Sequence, residues 1–397
     1  MKISYGKNVY GKQEIQAVNR ILKKTTQMGI CVNSFEKKIS KYFNKKHGLM
    51  VNSGSSALTL ALDVLNLKPN DEIITPCLNF GTAVSAIVLS KAKPVFADID
   101  VETLQINIKK LESKITKSTK ALLIPNLIGN IPDWKNIYKI AKRNNLKIIE
   151  DSADTLGAKI NNRPTGSYSD ISITSFYGSH VISCAGNGGM FLTNDKNYYD
   201  RAKVLRSWGR ASTLLKDSEN IKSRLNIKLK NIDFDKKFVF TEVGYNFEPS
   251  EIGAAFGLEQ LKKFKKFEVI RNRNFNAHKK FFSKYSDFFI TPKILKNIKT
   301  NFLAYPIILK KNNKFNRKKL QVFLENNKIQ TRPIFSGNIL RHPAFNHLVS
   351  KTNKISNFVN SDYIMKHGLL VGCHQGLKKE DVNKIHKTIK KFLKTQN

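Results

Sequence analysis

Residues 47–67 read HGLMVNSGSSALTLALDVLNL, and this stretch decides the fold class. A short apolar run ends at Val51, a cluster of small polar residues follows, and an apolar segment with helical spacing then carries on to Leu67. The pattern recurs. DEIITP (71–76) precedes FGTAVSAIVLSKA (80–92), PVFADID (94–100) and ALLIPNLIG (121–129) are further strand-like runs, and KIAKRNN (139–145) leads into LKIIEDSA (146–153). Strands alternating with helices at this spacing imply βαβ units, so the expected class is α/β with a mainly parallel sheet covered on both faces. Gly188-Gly189 followed by MFLTND (190–195) reads as a turn into another strand, and RAKVLRSWG (201–209) as the helix end after it.

Downstream the pattern changes. Residues 212–240 are polar and rich in Lys and Asn, as expected of an insertion loop rather than a core element. PSEIGAAFGLEQLKKFKKFEVIRNRNFNAHKKFFSKY (249–285) then shows helical periodicity for some thirty residues, with Pro249 and Ser250 at its start. Beyond it FLAYPIIL (302–309) and KIQTRPIF (328–335) are strand-like, while RKKLQVFLENN (317–327) and DVNKIHKTIKKFLK (381–394) are helical. The expectation is a large α/β domain over residues 1–265 and a smaller C-terminal α+β domain over 266–397, joined by the long helix.

Composition narrows the function classes. The 397 residues are 41% hydrophobic, enough for a full core, and carry 69 Lys and Arg against 30 Asp and Glu, a net charge of +39. The lysines are dispersed among Asn and Ile, without an aromatic-interleaved patch, so no nucleic-acid partner is expected. The basic field suits an anionic small substrate. The opening MKISYGKNVYGKQEI has no apolar core, and no run approaches the roughly 18 apolar residues of a bilayer span, so a cytoplasmic protein without a membrane span is expected. Cys31, Cys77, Cys184 and Cys373 stand far apart with no CxxC, and His342 and His347 sit in a loop-like HPAFNH, so no metal site is expected.

Three segments carry chemistry. Asn52-Ser53-Gly54-Ser55-Ser56 lies between a strand and a helix, where free backbone N–H groups and the helix dipole favour an anion; a plain Ser N-cap is the competing reading. Glu150-Asp151-Ser152-Ala153-Asp154 ends an apolar strand, and a carboxylate there lies at the mouth of an open α/β sheet, able to hold a pyridinium proton or merely to cap a loop. The third segment is Ser175-Phe176-Tyr177-Gly178-Ser179-His180, followed by Gly188-Gly189.

Together these segments resemble the DegT/DnrJ/EryC1/StrS sugar aminotransferase family, of pyridoxal-phosphate (PLP) fold type I. The resemblance extends to TPCLNF (75–80), Gly244-Tyr245-Asn246 and IGAAFGLEQLKKF (252–264). Its members carry a lysine four residues beyond a Ser-Phe pair; here His180 stands in that place, and no lysine occurs from Ile160 through Asp195. With RPIFSGNIL (332–340) and VGCHQGL (371–377), the chain is most similar to the nucleotide 4-keto-6-deoxyhexose 3-dehydratases. The resemblance implies pyridoxal or pyridoxamine 5′-phosphate as cofactor, a nucleotide-diphosphate keto sugar as substrate and removal of its C3 hydroxyl in deoxysugar biosynthesis. It implies His180 as base, Asp151 against the pyridine nitrogen, Asp154 beside the ring and Phe80 on its face. Gly54, Ser55 and Ser175 would bind phosphate, and Asn246 would reach it from a neighbouring subunit of a homodimer with shared sites.

An imidazole can move a proton next to an untethered amine cofactor, whereas transamination needs a lysine amine. An iron–sulfur variety is disfavoured because the stretch after Arg210 lacks cysteine, which leaves glutamate as the expected amino donor. Glu248 stands where relatives carry a basic residue, and Arg206, Arg210 or Arg332 would have to compensate. A lysine-dependent aminotransferase and a catalytically silent sugar or cofactor binder stay open as alternatives. A Ser-His-Asp hydrolase lacks the G-x-S-x-G elbow.

Overall fold

The computed structural model describes residues 2–215, 217–311 and 314–396. Its central sheet has seven strands: β1 (His47–Val51), β2 (Glu72–Pro76), β3 (Lys93–Ala97), β4 (Thr119–Pro125), β5 (Lys147–Asp151), β6 (Ile171–Ser175) and β7 (Gly189–Thr193). Their spatial order is β1-β7-β6-β5-β4-β2-β3. β7 pairs antiparallel with both neighbours and all other pairings are parallel. The strands read as continuous apolar runs because both faces are covered, and two clusters of buried side chains lie on the faces: one holds Val51, Ile149, Ile173 and Phe191, the other Ile74, Leu122, Ile148 and Trp134.

Five helices frame the C-terminal edge of the sheet and tie it to the rest of the chain: α1 (Lys12–Leu22), α2 (Ile30–Tyr42), α3 (Gly54–Asp63), α4 (Gly81–Leu89) and α5 (Glu251–Phe282). α3 and α4 start just beyond the ends of β1 and β2, so their N-termini open onto that edge, where open α/β folds bind ligands. α5 is a single 32-residue helix capped by Ser250, whose hydroxyl accepts from the Gly253 N–H. Its first turns pack against α1 and α2, and its last turns enter a Phe-rich core with Phe275, Phe281 and Phe282. Glu251 at its start accepts the N–H groups of Gly29, Cys31 and Val32, so one carboxylate satisfies the unpaired first turn of α2.

A four-stranded antiparallel sheet of Phe289–Ile290, Ala304–Leu309, Gly368–Gly372 and Thr331–Pro333 forms the C-terminal unit with helices Arg317–Asn326 and Lys379–Lys394. The N-terminal segment joins it: Ile3 bridges Ile329 in parallel, and the Tyr5 N–H donates to Gln330. Between positions 211 and 238 the described residues form short helical turns, including Ile221–Arg224, and a hairpin of two-residue strands, Lys228–Leu229 with Ile232–Asp233. No helix among the described residues is long and apolar enough to cross a membrane.

Candidate active site

At the C-terminal edge of the sheet lies a cavity of about 240 Å³. Gly54, Ser55, Phe80, Asp151, Asp154, Ser175 and His180 all line it, although they come from four separate strand ends and the loops beyond them. Tyr5, Asn79, Leu127, Tyr177, Leu303 and Phe335 complete much of the wall. Among the described residues, no lysine lines this cavity.

The serine loop after β1 divides its labour. Ser53 is the N-cap of α3, its hydroxyl accepting from the Ser56 N–H at 3.1 Å, which leaves Gly54 and Ser55 at the cavity wall. Gly54 is there because the loop runs hard against β6: a Cβ at this position would stand 2.7 Å from the Ser175 Cβ. Gly189 allows the same approach from β7, where a Cβ would meet the Ser53 carbonyl oxygen at 2.2 Å.

Asp151 ends β5, and its carboxylate accepts from the Ala153 N–H at 3.0 Å. Burial pushes it up to about 6. Asp154 accepts from the Ile128 N–H at 2.7 Å and is pushed up to about 7, again chiefly by burial. Neither forms an ion pair among the described residues, so the cavity holds two carboxylates whose ionised forms lack a cation. Ile128 takes a left-handed φ of 61°, unusual for a β-branched residue, and the Asp154 bond to its N–H helps hold that turn.

His180 sits on a tightly tied loop. Phe176 N–H donates to Gly188, Cys184 N–H to Phe176 and Gly178 N–H to Gly186, while Val181, Ile182 and Cys184 are anchored in a core beneath. Gln375 donates to the Val181 carbonyl and Arg271 to that of His180. The imidazole Nδ1 lies 3.4 Å from the Ser175 carbonyl, and the ring meets Tyr177 edge-on at 6.0 Å. Burial pushes His180 down to about 4, against the Ser175 carbonyl contact and with a smaller contribution from the Arg271 charge. Phe80 precedes α4 and is 58% exposed, its ring edge-on to Phe335 at the rim.

Asn246 lies outside this cavity, exposed, its backbone bridging Ser207 and its carbonyl accepting from Asn52 at 3.3 Å. Of Arg206, Arg210 and Arg332, the first is buried against Glu36 and the Met50 carbonyl, and Arg210 stacks on Trp208. Arg332 lines a groove that adjoins the cavity through Tyr5, Phe80 and Phe335. His342 Nε2 donates to the Ser336 carbonyl at 2.8 Å, an ordinary packing contact, and no three His, Cys, Asp or Glu side chains converge among the described residues.

The family model of the DegT/DnrJ/EryC1/StrS aminotransferases matches residues 8–390. The chain belongs to this family. A GDP-4-keto-6-deoxy-D-mannose 3-dehydratase of Yersinia pseudotuberculosis is 31% identical over 392 residues, 97% of each chain. A GDP-perosamine synthase of Caulobacter vibrioides is 28% identical over 360 residues, 91% of this chain and 89% of that one. A solved GDP-4-keto-6-deoxymannose-3-dehydratase with a trapped PLP–glutamate geminal diamine superposes with a TM-score of 0.85 at 28% identity, covering 97% of this chain and 99% of that one. The fold is therefore that of the PLP-dependent sugar-modifying enzymes, as the motifs imply.

Tyr5, Arg271 and Leu303 escape a local reading of the sequence. They reach the site only through the N-terminal segment, the long helix and the C-terminal unit, and no nearby motif marks them.

Proposed function

We propose that the protein is a nucleotide-sugar 3-dehydratase that removes the C3 hydroxyl of a nucleotide-linked 4-keto-6-deoxyhexose in deoxysugar biosynthesis. The observation that carries this reading is the His180 imidazole at the wall of a cavity that has no lysine among its described lining residues. PLP is the cofactor, and in its pyridoxamine form it supplies an amine that condenses with the sugar ketone and a ring that accepts electrons. The cavity fits it: an anion loop at one wall, two carboxylates without a cation at another, and an exposed aromatic ring at the rim.

Gly54, Ser55 and Ser175 hold the phosphate at the N-terminus of α3. Asp151 would hold the ring nitrogen of the bound cofactor, whose cationic N–H would supply the missing counter-charge and favour the ionised carboxylate. Asp154 lies beside it and fixes the turn that carries Leu127. Phe80 covers one face. The Ser175 carbonyl keeps the proton on Nδ1 of His180, so Nε2 is the atom that takes a proton and returns it to the departing hydroxyl. The phosphate and diphosphate charges of the bound partners raise the imidazole toward working pH.

Glutamate is the amino donor we favour, in keeping with the glutamate adduct trapped in the solved relative, and Arg332, in the groove adjoining the cavity, would receive its carboxylate. A homodimer completes the site through Asn246. The exposed Phe240 and Val243 beside it, 62% and 97% exposed, suit burial against a second copy. A competing reading, an aminotransferase on the same sugars, draws on the likeness to GDP-perosamine synthase and needs a lysine from elsewhere to reach the cofactor.

Incubation with PLP, glutamate and a panel of GDP-, CDP- and dTDP-4-keto-6-deoxyhexoses separates the readings by product mass. Loss of one oxygen supports the dehydratase, an amino sugar the aminotransferase, and no turnover a silent binder.

A further inference from the structure

Arg271 lies in the middle of α5, fully buried, and no carboxylate pairs with it among the described residues. A cation in such a place is costly, and Arg271 offsets the cost only with carbonyl dipoles. Its Nη1 donates to Phe302 and Leu303 at 2.9 and 3.2 Å, and its Nη2 to the His180 carbonyl at 3.2 Å, while Nε has no partner. Three segments thus meet at one guanidinium: the long helix, the entry to the C-terminal sheet, whose Leu303 lines the cavity, and the loop of His180.

We propose that Arg271 is a positioning residue for His180, fixing its loop through the residue's own carbonyl and setting the proton affinity of its imidazole through an uncompensated positive charge. The guanidinium is held against the backbone carbonyl of the residue whose ring it acts on. Burial is the largest influence lowering the proton affinity of that ring, the Ser175 carbonyl opposes it, and the Arg271 charge adds to burial. The remaining groups around the ring are the phenols of Tyr177 on the same loop and Tyr5 on the N-terminal segment, with Cys373 and Arg332 behind them on the C-terminal unit. Among these only Arg332 is cationic, and it stacks toward Tyr5 at the exposed rim. Arg271 is therefore the buried charge that His180 faces.

The inference rests on His180 as the base, yet its test needs neither substrate nor cofactor. Proton NMR of ¹⁵N-histidine-labelled protein, with His180 assigned by its disappearance in His180→Asn, reads the imidazole directly. In the unsubstituted protein the ring should stay neutral down to about pH 5, and an ordinary midpoint near 6.5 would overturn the proposal. Arg271→Met and Arg271→Gln should raise the midpoint by about one pH unit, while Arg271→Lys, which keeps the charge, should hold it within about half a unit. A midpoint equally unmoved in all three would refute the charge role. If instead the midpoints move as stated but His180→Asn still deoxygenates sugar, the base assignment fails and the electrostatic coupling stands.

Discussion

Glu150 and Asp151 are consecutive residues of β5, and they occupy opposite chemical settings. Glu150 is fully buried on one face, where its carboxylate accepts from Asn126, Ser152 and Ser172 at 2.9, 2.9 and 2.7 Å. Asp151 turns to the cavity and is held by the Ala153 N–H. Trp134 extends the Glu150 network, its indole N–H donating to Asn126. Buried polar groups that serve the fold are satisfied by the fold, as Glu150 is. Asp151, Asp154 and His180 are left with ionised forms the protein does not balance, which is the condition of groups awaiting a ligand.

That contrast breaks or sharpens through substitution. The largest effect belongs to His180→Asn, which keeps size and polarity but not basicity: deoxygenation should fall about a thousandfold while cofactor binding, read by absorbance, survives. The second concerns pH in the unligated protein. Asp154 binds its proton more tightly folded than unfolded, so its contribution is present in acid and is lost as pH rises from about 4 through about 7. Asp154→Asn should flatten that decline by up to about 4 kcal/mol in urea unfolding, and an unchanged slope would deny the carboxylate its unbalanced charge. Next, Asp151→Asn should lower turnover about a hundredfold, because an amide cannot hold the ring proton, yet should stabilise the unligated protein above pH 7. The mildest change in chemistry is Glu150→Gln, which should destabilise the fold by about 2 kcal/mol and leave cofactor affinity nearly intact. Were Glu150→Gln to abolish cofactor binding while Asp151→Asn did not, the two residues would have exchanged roles.

The sheet was legible because a parallel strand is apolar along its whole length and is punctuated by small polar residues where it meets the next helix. Val51-Asn52-Ser53-Gly54 and Ile149-Glu150-Asp151-Ser152 both show that signature. The long helix was legible through Pro249-Ser250 and its unbroken period, and the structure carries it to Phe282 without interruption across position 265. Strand ends of one sheet must converge, so the motifs that follow them converge as well, which is why Gly54, Ser55, Phe80, Asp151, Asp154, Ser175 and His180 meet in one cavity. The serine loop supplies the helix cap through Ser53 and cavity wall through its neighbours Gly54 and Ser55.

What stayed hidden depends on contacts distant in sequence. Tyr5 reaches the site because Ile3 and Gln330 hydrogen-bond across more than three hundred residues of chain. Arg271 looks like any surface arginine of a basic helix until Phe302, Leu303 and His180 are folded around it. Arg206 lines the same surface recess as Glu248, yet it is committed to Glu36, which the order of residues along the chain does not reveal.

The central claim is that an imidazole works beside an untethered amine cofactor, and a crystal structure with pyridoxamine phosphate bound tests it most directly. The account predicts the phosphate at Gly54 and Ser55, the ring nitrogen against Asp151, and Nε2 of His180 facing the amine-bearing carbon. A ring bound elsewhere, or a His180 side chain turned away from that carbon, would contradict it.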